Sequence, residues 1–376
     1  MGGDLKNLTH IPLIILLLFA LGCSRAPVSV RVDGGTAEQV FVPRLSIQET
    51  GELYCQWVEF HRDSIGGAGC AWDLPTRKFG TPEGFDFFNR RYVQCIPELE
   101  RFTFSNHHTA TFVAHSCIQE CYMLARDEDG ERESAWATAP AVLSYPVQVD
   151  SLFLLLYESS TQKGLITVWM DRQGRERSRD TLAIGSPDFA AAGGGGAVLV
   201  KAEENYFSVY QLDYACSWID STEVTRLYPI QQQIGTDYFE SGGDLFIVSG
   251  YRKPESREIE FETHVLRGIK RESQHIAAVK RESLGDVVAF RAAASGKDFP
   301  YLLGLLQEPE RMQFVALGLD DEGYWSRVSE RAEVSPTIQE FAVARYGETL
   351  IAAYTAASEE TLAAANACYV VQFNLE

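Results

Sequence analysis

Seven short apolar runs recur along the chain at intervals of roughly 45 residues, and this period constrains the fold more than any other feature. The runs are GELYCQWVEF (51–60), TATFVAHS (109–116), SLFLLLYESS (151–160), GAVLVKAEE (196–204), DLFIVSGY (244–251), DVVAFRAAA (286–294) and TLIAAYTAA (349–357). Their starts are separated by 58, 42, 45, 48, 42 and 63 residues. Each is followed by a second strand-like run: GCAWDL, ECYMLARD, LITVWMDR, YFSVYQLD, EIEFETHVL, RMQFVALGLD and CYVVQFNLE. Several second runs end in an acidic turn with glycine, at 127–130, 171–174 and 320–323. Aspartate opens such a turn by bonding its own backbone, and glycine accepts the positive φ that ends it. A further short strand follows, as in SAWATA (134–139) and RDTLAI (179–184). The first run of a unit is apolar on both faces, with Leu152, Leu154 and Leu156 on one and Phe153, Leu155 and Tyr157 on the other. A strand of that kind is covered on both sides.

A unit of three to four strands in about 45 residues has the size of one propeller blade. One small sheet cannot cover both its faces, whereas a closed ring of such sheets can. The repeat pattern resembles the β-propeller superfamily over nearly the whole chain. It implies an all-β fold with seven blades favoured, over residues 45–376. A large β-sandwich is the alternative architecture. VSVRV (28–32) and VFVP (40–43) are candidates for the outer strand that closes the ring. No blade motif is specific to one family. There is no repeated Trp-Asp dipeptide. Asp321-Glu322-Gly323-Tyr324-Trp325 resembles the Asp-box of sialidase-like propellers, but the Trp falls one position early and the flanking Ser/Thr is missing. Residues 75–108, with Pro75, Pro82 and Pro97, read as an irregular stretch and a candidate functional loop. The run Ala190-Ala191-Ala192-Gly193-Gly194-Gly195-Gly196 suits a close backbone approach before a buried strand.

The N-terminus carries a different signal. Residues 11–22, IPLIILLLFALG, form an uncharged apolar run of twelve residues. As a helix it would span about 18 Å, short of a hydrocarbon core of about 30 Å. It therefore reads as the apolar part of a signal peptide covering residues 1–22. The run ends in Ala20-Leu21-Gly22-Cys23, which resembles a bacterial lipobox. That resemblance implies lipidation of Cys23 as the mature N-terminus, with the lipid bilayer as a partner through acyl chains such as palmitate. Ser24 after the cysteine implies the outer membrane, with the propeller facing periplasm or exterior. Residues 23–44 are then anchor, tether and possible ring-closing strand.

Beyond the inner membrane disulfides persist. Seven cysteines remain after Cys23, an odd number, so at least one thiol is free or pairs with another chain. Cys55 with Cys70, and Cys117 with Cys121, are candidate disulfides, because each pair lies where a hairpin would bring the two together. His107, His115 and Cys117 are weak candidates for a metal site, since their spacing matches no zinc motif. The acidic turns at Asp127, Asp129, Asp171, Asp320 and Asp321 have the oxygens that Ca²⁺ takes, and read first as ordinary solvated turns.

The chain holds 33 basic and 52 acidic residues, a net charge of −19, which repels phosphate backbones and excludes nucleic acid as a partner. There is no G-x-S-x-G elbow and no H-E-x-x-H helix. No motif requires a cofactor, and none commits the chain to a reaction. Two functions remain open. One is an envelope-anchored binding or scaffold module for a protein or glycan. The other is a glycan-acting hydrolase or lyase with its site at the propeller's channel mouth. Two or more carboxylates clustered with an Arg or Tyr at the axial opening would favour the enzyme.

Overall fold

The structure is a computed structural model. It describes residues 27–35, 37–73, 75–89, 98–104, 108–115, 120–130, 132–138, 141–149, 152–159, 163–193, 196–214, 218–228, 230–253, 259–267, 270–279, 286–294, 300–309, 311–319, 324–358 and 366–375. The signal segment and Cys23 lie outside the described residues. Among the described residues the strands form seven antiparallel sheets arranged as the blades of a β-propeller. Blade 1 takes residues 39–89, blade 2 98–138, blade 3 141–182, blade 4 189–225, blade 5 233–279, blade 6 286–334 and blade 7 340–374. Within each blade successive strands pair as a meander. The sandwich alternative is thereby overturned: the sheets are seven small ones, and no two broad layers face each other.

The ring is closed by the N-terminal end of the described chain. Val30–Arg31 adds to the outer edge of blade 7, in register with Val370 and Tyr369. The neighbouring candidate, VFVP, does something else. It belongs to Gln39–Ile47, the innermost strand of blade 1, which pairs with Leu53–Phe60. A register shift interrupts that pairing between Phe41 and Arg44, and Val42 there has a φ of +51°. A β-branched residue rarely adopts that conformation. A bulge of this kind bends the strand locally.

The apolar runs are real strands, but six of the seven are the second strand of their blade, not the first. The exception is 286–294, which is the innermost strand of blade 6; its second strand is Tyr301–Gln307. Second strands start at 53, 109, 152, 196, 244, 301 and 349, so the interval of 63 read from the sequence came from comparing unlike strands. The stretch 75–108 is also corrected. It supplies outer strands of blade 1 (Lys78–Phe79 and Glu83–Asn89) and the innermost strand of blade 2 (Glu98–Thr103). Their mixed polarity hid them.

The core follows from this geometry. Buried apolar residues fall into seven clusters, each holding residues of two adjacent blades. Between blades 3 and 4, Leu154, Leu156 and Trp169 meet Ala197, Leu199 and Leu212. Between blades 2 and 3, Phe112 and Met123 meet Phe153 and Tyr157. A second strand is apolar on both faces because each face packs against a different neighbour. Gly196 shows the close approach expected of the Ala/Gly run: a Cβ there would lie 1.9 Å from the Leu212 carbonyl oxygen.

Candidate functional site

The innermost strands adjoin one another from blade 3 round to blade 1, and so line the axis. At the ends that lead into the second strands, the axis widens into two adjoining cavities of about 770 and 430 Å³. They share Ile47 and Glu240, and together draw residues from all seven blades. Small side chains make the space: Ala190, Ala191 and Ala192 on blade 4, and Ala292 and Ala293 on blade 6. Ile47 is 56% exposed, an apolar side chain open to solvent at the mouth.

The larger cavity is polar. Glu49, Glu100 and Glu240 line it with Arg172, Gln48, Gln148 and Ser46. Both terminal oxygens of Glu49 accept from one guanidinium nitrogen of Arg172 at 3.0 Å. The Arg172 guanidinium also lies over the Phe104 ring, 4.5 Å from its centroid, so it ties blade 3 to blades 1 and 2. Glu100 accepts from Arg44 at 2.8 Å. The backbone amide of Gly243 donates to Glu240 at 2.7 Å. Gln48 receives the Thr103 amide through Oε1 at 2.7 Å and donates through Nε2 to Ser46 Oγ at 2.7 Å. The carboxylates and amides are thus held in place by neighbours before any ligand arrives. In the smaller cavity Arg345 donates to the Gly347 carbonyl and lies 4.8 Å from the Tyr301 ring centroid.

Between the axial strands of blades 5 and 6, Asp237 accepts the Ala292 amide at 2.5 Å. Burial pushes its carboxyl up to about 6, against the smaller opposing effects of Arg291 and its backbone hydrogen bonds.

The residues singled out by sequence fall elsewhere. Cys55 and Cys70 face each other in register across the hairpin of blade 1, as expected, and both are buried free thiols in the structure, as is Cys368. Cys117 and His107 lie outside the described residues. The backbone sets Cys121 opposite Ala114 and His115 opposite Glu120. Among the described residues no group of three or more His, Cys, Asp or Glu is placed to hold a metal ion. Two acidic turns are engaged with their own backbone. Asp171 accepts from the Gln173 and Arg175 amides and from Arg177, and Asp127 accepts from the Asp129 amide. Gly174 and Gly130 close those turns at φ of +74° and +80°.

Sequence reasoning missed the mouth itself. Glu49, Gln148 and Glu240 each sit just before an apolar run, in the turn or strand end that precedes a second strand. That position is the signal that would have found them.

No protein-family model matches the chain, and no curated protein matches its sequence. Solved structures similar to it include the β-propeller domain of the Trilobed protease from Pyrococcus furiosus, at 10% identity and a TM-score of 0.48 over 90% of this chain and 95% of that one. Prolyl oligopeptidase B from Galerina marginata matches at 10% identity and a TM-score of 0.49, over 86% of this chain and 47% of that one. Hydrazine synthase from Kuenenia stuttgartiensis matches at 10% identity and a TM-score of 0.45, over 78% and 79%.

Proposed function

We propose that the chain is an envelope-anchored lipoprotein whose propeller binds a glycan at its axial mouth. The observation that carries this is the opening of about 770 Å³ lined by blades 1 to 5. Its size suits a small ligand or the end of a chain. Its chemistry suits a polyhydroxylated one. Carboxylates and amides at Glu100, Glu240, Gln48 and Gln148 pair with hydroxyls, while Phe102 and Ile47 offer apolar surface to a sugar face. Calorimetric titration against envelope oligosaccharides tests it. Wild type is expected to bind a member of the panel, and Glu100→Gln with Gln148→Ala to lose at least tenfold in affinity. Equal affinity in both overturns the axial site.

The runner-up is a glycan-acting hydrolase or lyase at the same mouth. The clustering of Glu49, Glu100 and Glu240 with Arg172 favours it, since acid and base carboxylates are what glycosidic cleavage uses. Products released from a bound oligosaccharide by wild type, and not by Glu100→Gln, would move the assignment to the enzyme.

The anchor rests on the apolar run and lipobox ending at Cys23. Labelled palmitate is expected in the wild type and not in Cys23→Ser. Equal labelling overturns the lipoprotein assignment.

A further inference from the structure

The seam that closes the ring, between blades 7 and 1, differs from the other six in its side chains. Cys55 and Cys70 of blade 1 and Cys368 of blade 7 sit together in its core with Leu53, Trp57, Ile351 and Val370. Cys55 and Cys368 are fully buried, and Cys70 is 2% exposed. The Cys55 thiol is in hydrogen-bond contact with that of Cys368, across the blade boundary. Cys70 faces Cys55 within the same sheet. Ala68 and Ala353 are their small neighbours in that core.

The ring is closed through the outer edge of blade 7. Its closing strand is two residues long, Val30–Arg31, extended by one bond from the Val32 amide to the Cys368 carbonyl at 2.9 Å. Cys368 thus takes part in holding the closing segment, beside Val370 and Tyr369.

We propose that Cys55 and Cys368 form a disulfide that covalently joins the first blade to the last. The chain between them runs through every blade, so the bond would lock the whole ring. The oxidant is a disulfide, either a small one such as oxidised glutathione or a protein dithiol oxidase. One cysteine loses its proton and attacks the oxidant, expelling one thiolate and forming a mixed disulfide. The second cysteine loses its proton and displaces the remaining thiolate. The oxidant's S–S bond is broken and one Sγ–Sγ bond is formed. Two protons pass to the released thiolates, and the protein pair gives up the two electrons that reduce the oxidant. In the packed seam the Cys55 thiol is unreactive, because the contact with Cys368 and burial push it well above its ordinary value. The exchange therefore runs before blades 7 and 1 pack, and afterwards burial shields the bond from reductant.

The test is refolding of the full chain from urea with oxidised or with reduced glutathione, followed by non-reducing peptide mapping. The oxidised protein is expected to yield a peptide pair joining Cys55 to Cys368, and its urea midpoint to exceed that of the reduced protein. The link is expected to persist in Cys70→Ala. In Cys368→Ala both the link and the shift disappear. A Cys55–Cys70 link in the wild type, or alkylatable Cys55 and Cys368 after oxidative refolding of Cys70→Ala, overturns the proposal. If Cys368→Ala does not fold, the map of Cys70→Ala decides alone. This inference is independent of what the axial mouth binds.

Discussion

Between blades 3 and 4, Leu154, Leu156 and Trp169 meet Ala197, Leu199 and Leu212 with water excluded, whereas at the axial mouth Glu49, Glu100, Gln148 and Arg172 meet across open space. Both regions join residues from different blades. The seam does so by area, and any of several apolar side chains would serve at each position. The mouth does so by single polar contacts, such as Arg172 with Glu49, whose identities matter individually. The difference predicts that seam changes alter stability and leave recognition alone, and that mouth changes do the reverse.

The largest effect is expected at Trp169. It is fully buried, and its indole donates to the Asp213 carbonyl of blade 4 at 3.2 Å. Trp169→Ala leaves a large cavity and removes that hydrogen bond. A loss of about 3–5 kcal/mol follows, read as a lower urea midpoint, with ligand affinity unchanged in the fraction that remains folded. Loss of affinity at full folding would break the separation.

Asp237 tests the boundary, since it lies on a half-buried axial strand yet its carboxyl is largely desolvated. Its folded value is about 6 against an ordinary 3.8. A raised acid favours the folded state most when protonated. Its contribution is therefore full below about pH 4, declines as pH rises towards 6 and is lost above. About two units correspond to a change on the order of 3 kcal/mol. Asp237→Asn is expected to remove that slope, so the difference in urea midpoint between wild type and variant should change between pH 4 and pH 6.5. A constant difference would mean that Asp237 stays ionised.

This contrast also explains what the sequence made visible. Second strands such as Leu152–Ser159 announce themselves because both faces are buried, and six of them, with the innermost strand of blade 6 read as a seventh, recur at an interval that implies a ring. The innermost strands do not. Gln233–Ser241 is half-buried along most of its length, and Phe189–Gly193 is nearly all Ala and Gly, because the axis leaves it little volume to fill. Neither pattern reads as a strand. The mouth was less legible still. Glu49 and Arg172 are 123 residues apart, and nothing local marks two charges among 85 ionised side chains as partners. The seam thiols were half legible. The hairpin placed Cys55 opposite Cys70, but only the closed ring brings Cys368 to them.

Gly196 gives an intermediate effect. The Cβ of Gly196→Ala would overlap the Leu212 carbonyl of the paired strand, which is backbone and cannot rotate away. A cost of about 1–3 kcal/mol is expected from the forced shift. Thermal unfolding measures it, and an unchanged melting temperature would show that the two strands separate there without loss.

The smallest change in stability, and the largest in recognition, is expected at Arg172. Its pair with Glu49 is partly exposed, at 24% and 29% of the two side chains, and such pairs contribute roughly 0–1 kcal/mol. Arg172→Ala should therefore unfold almost where the wild type does. At the mouth the same change releases Glu49 from its ion pair with Arg172 and removes the cation over Phe104. The ligand would then meet a carboxylate with more freedom and more exposed charge. Affinity for the oligosaccharide that wild type binds should fall about tenfold, while added salt narrows the gap by screening the released charge. A variant that loses several kcal/mol and binds as before would reverse the comparison, making Arg172 part of the scaffold and leaving the mouth without its organising cation.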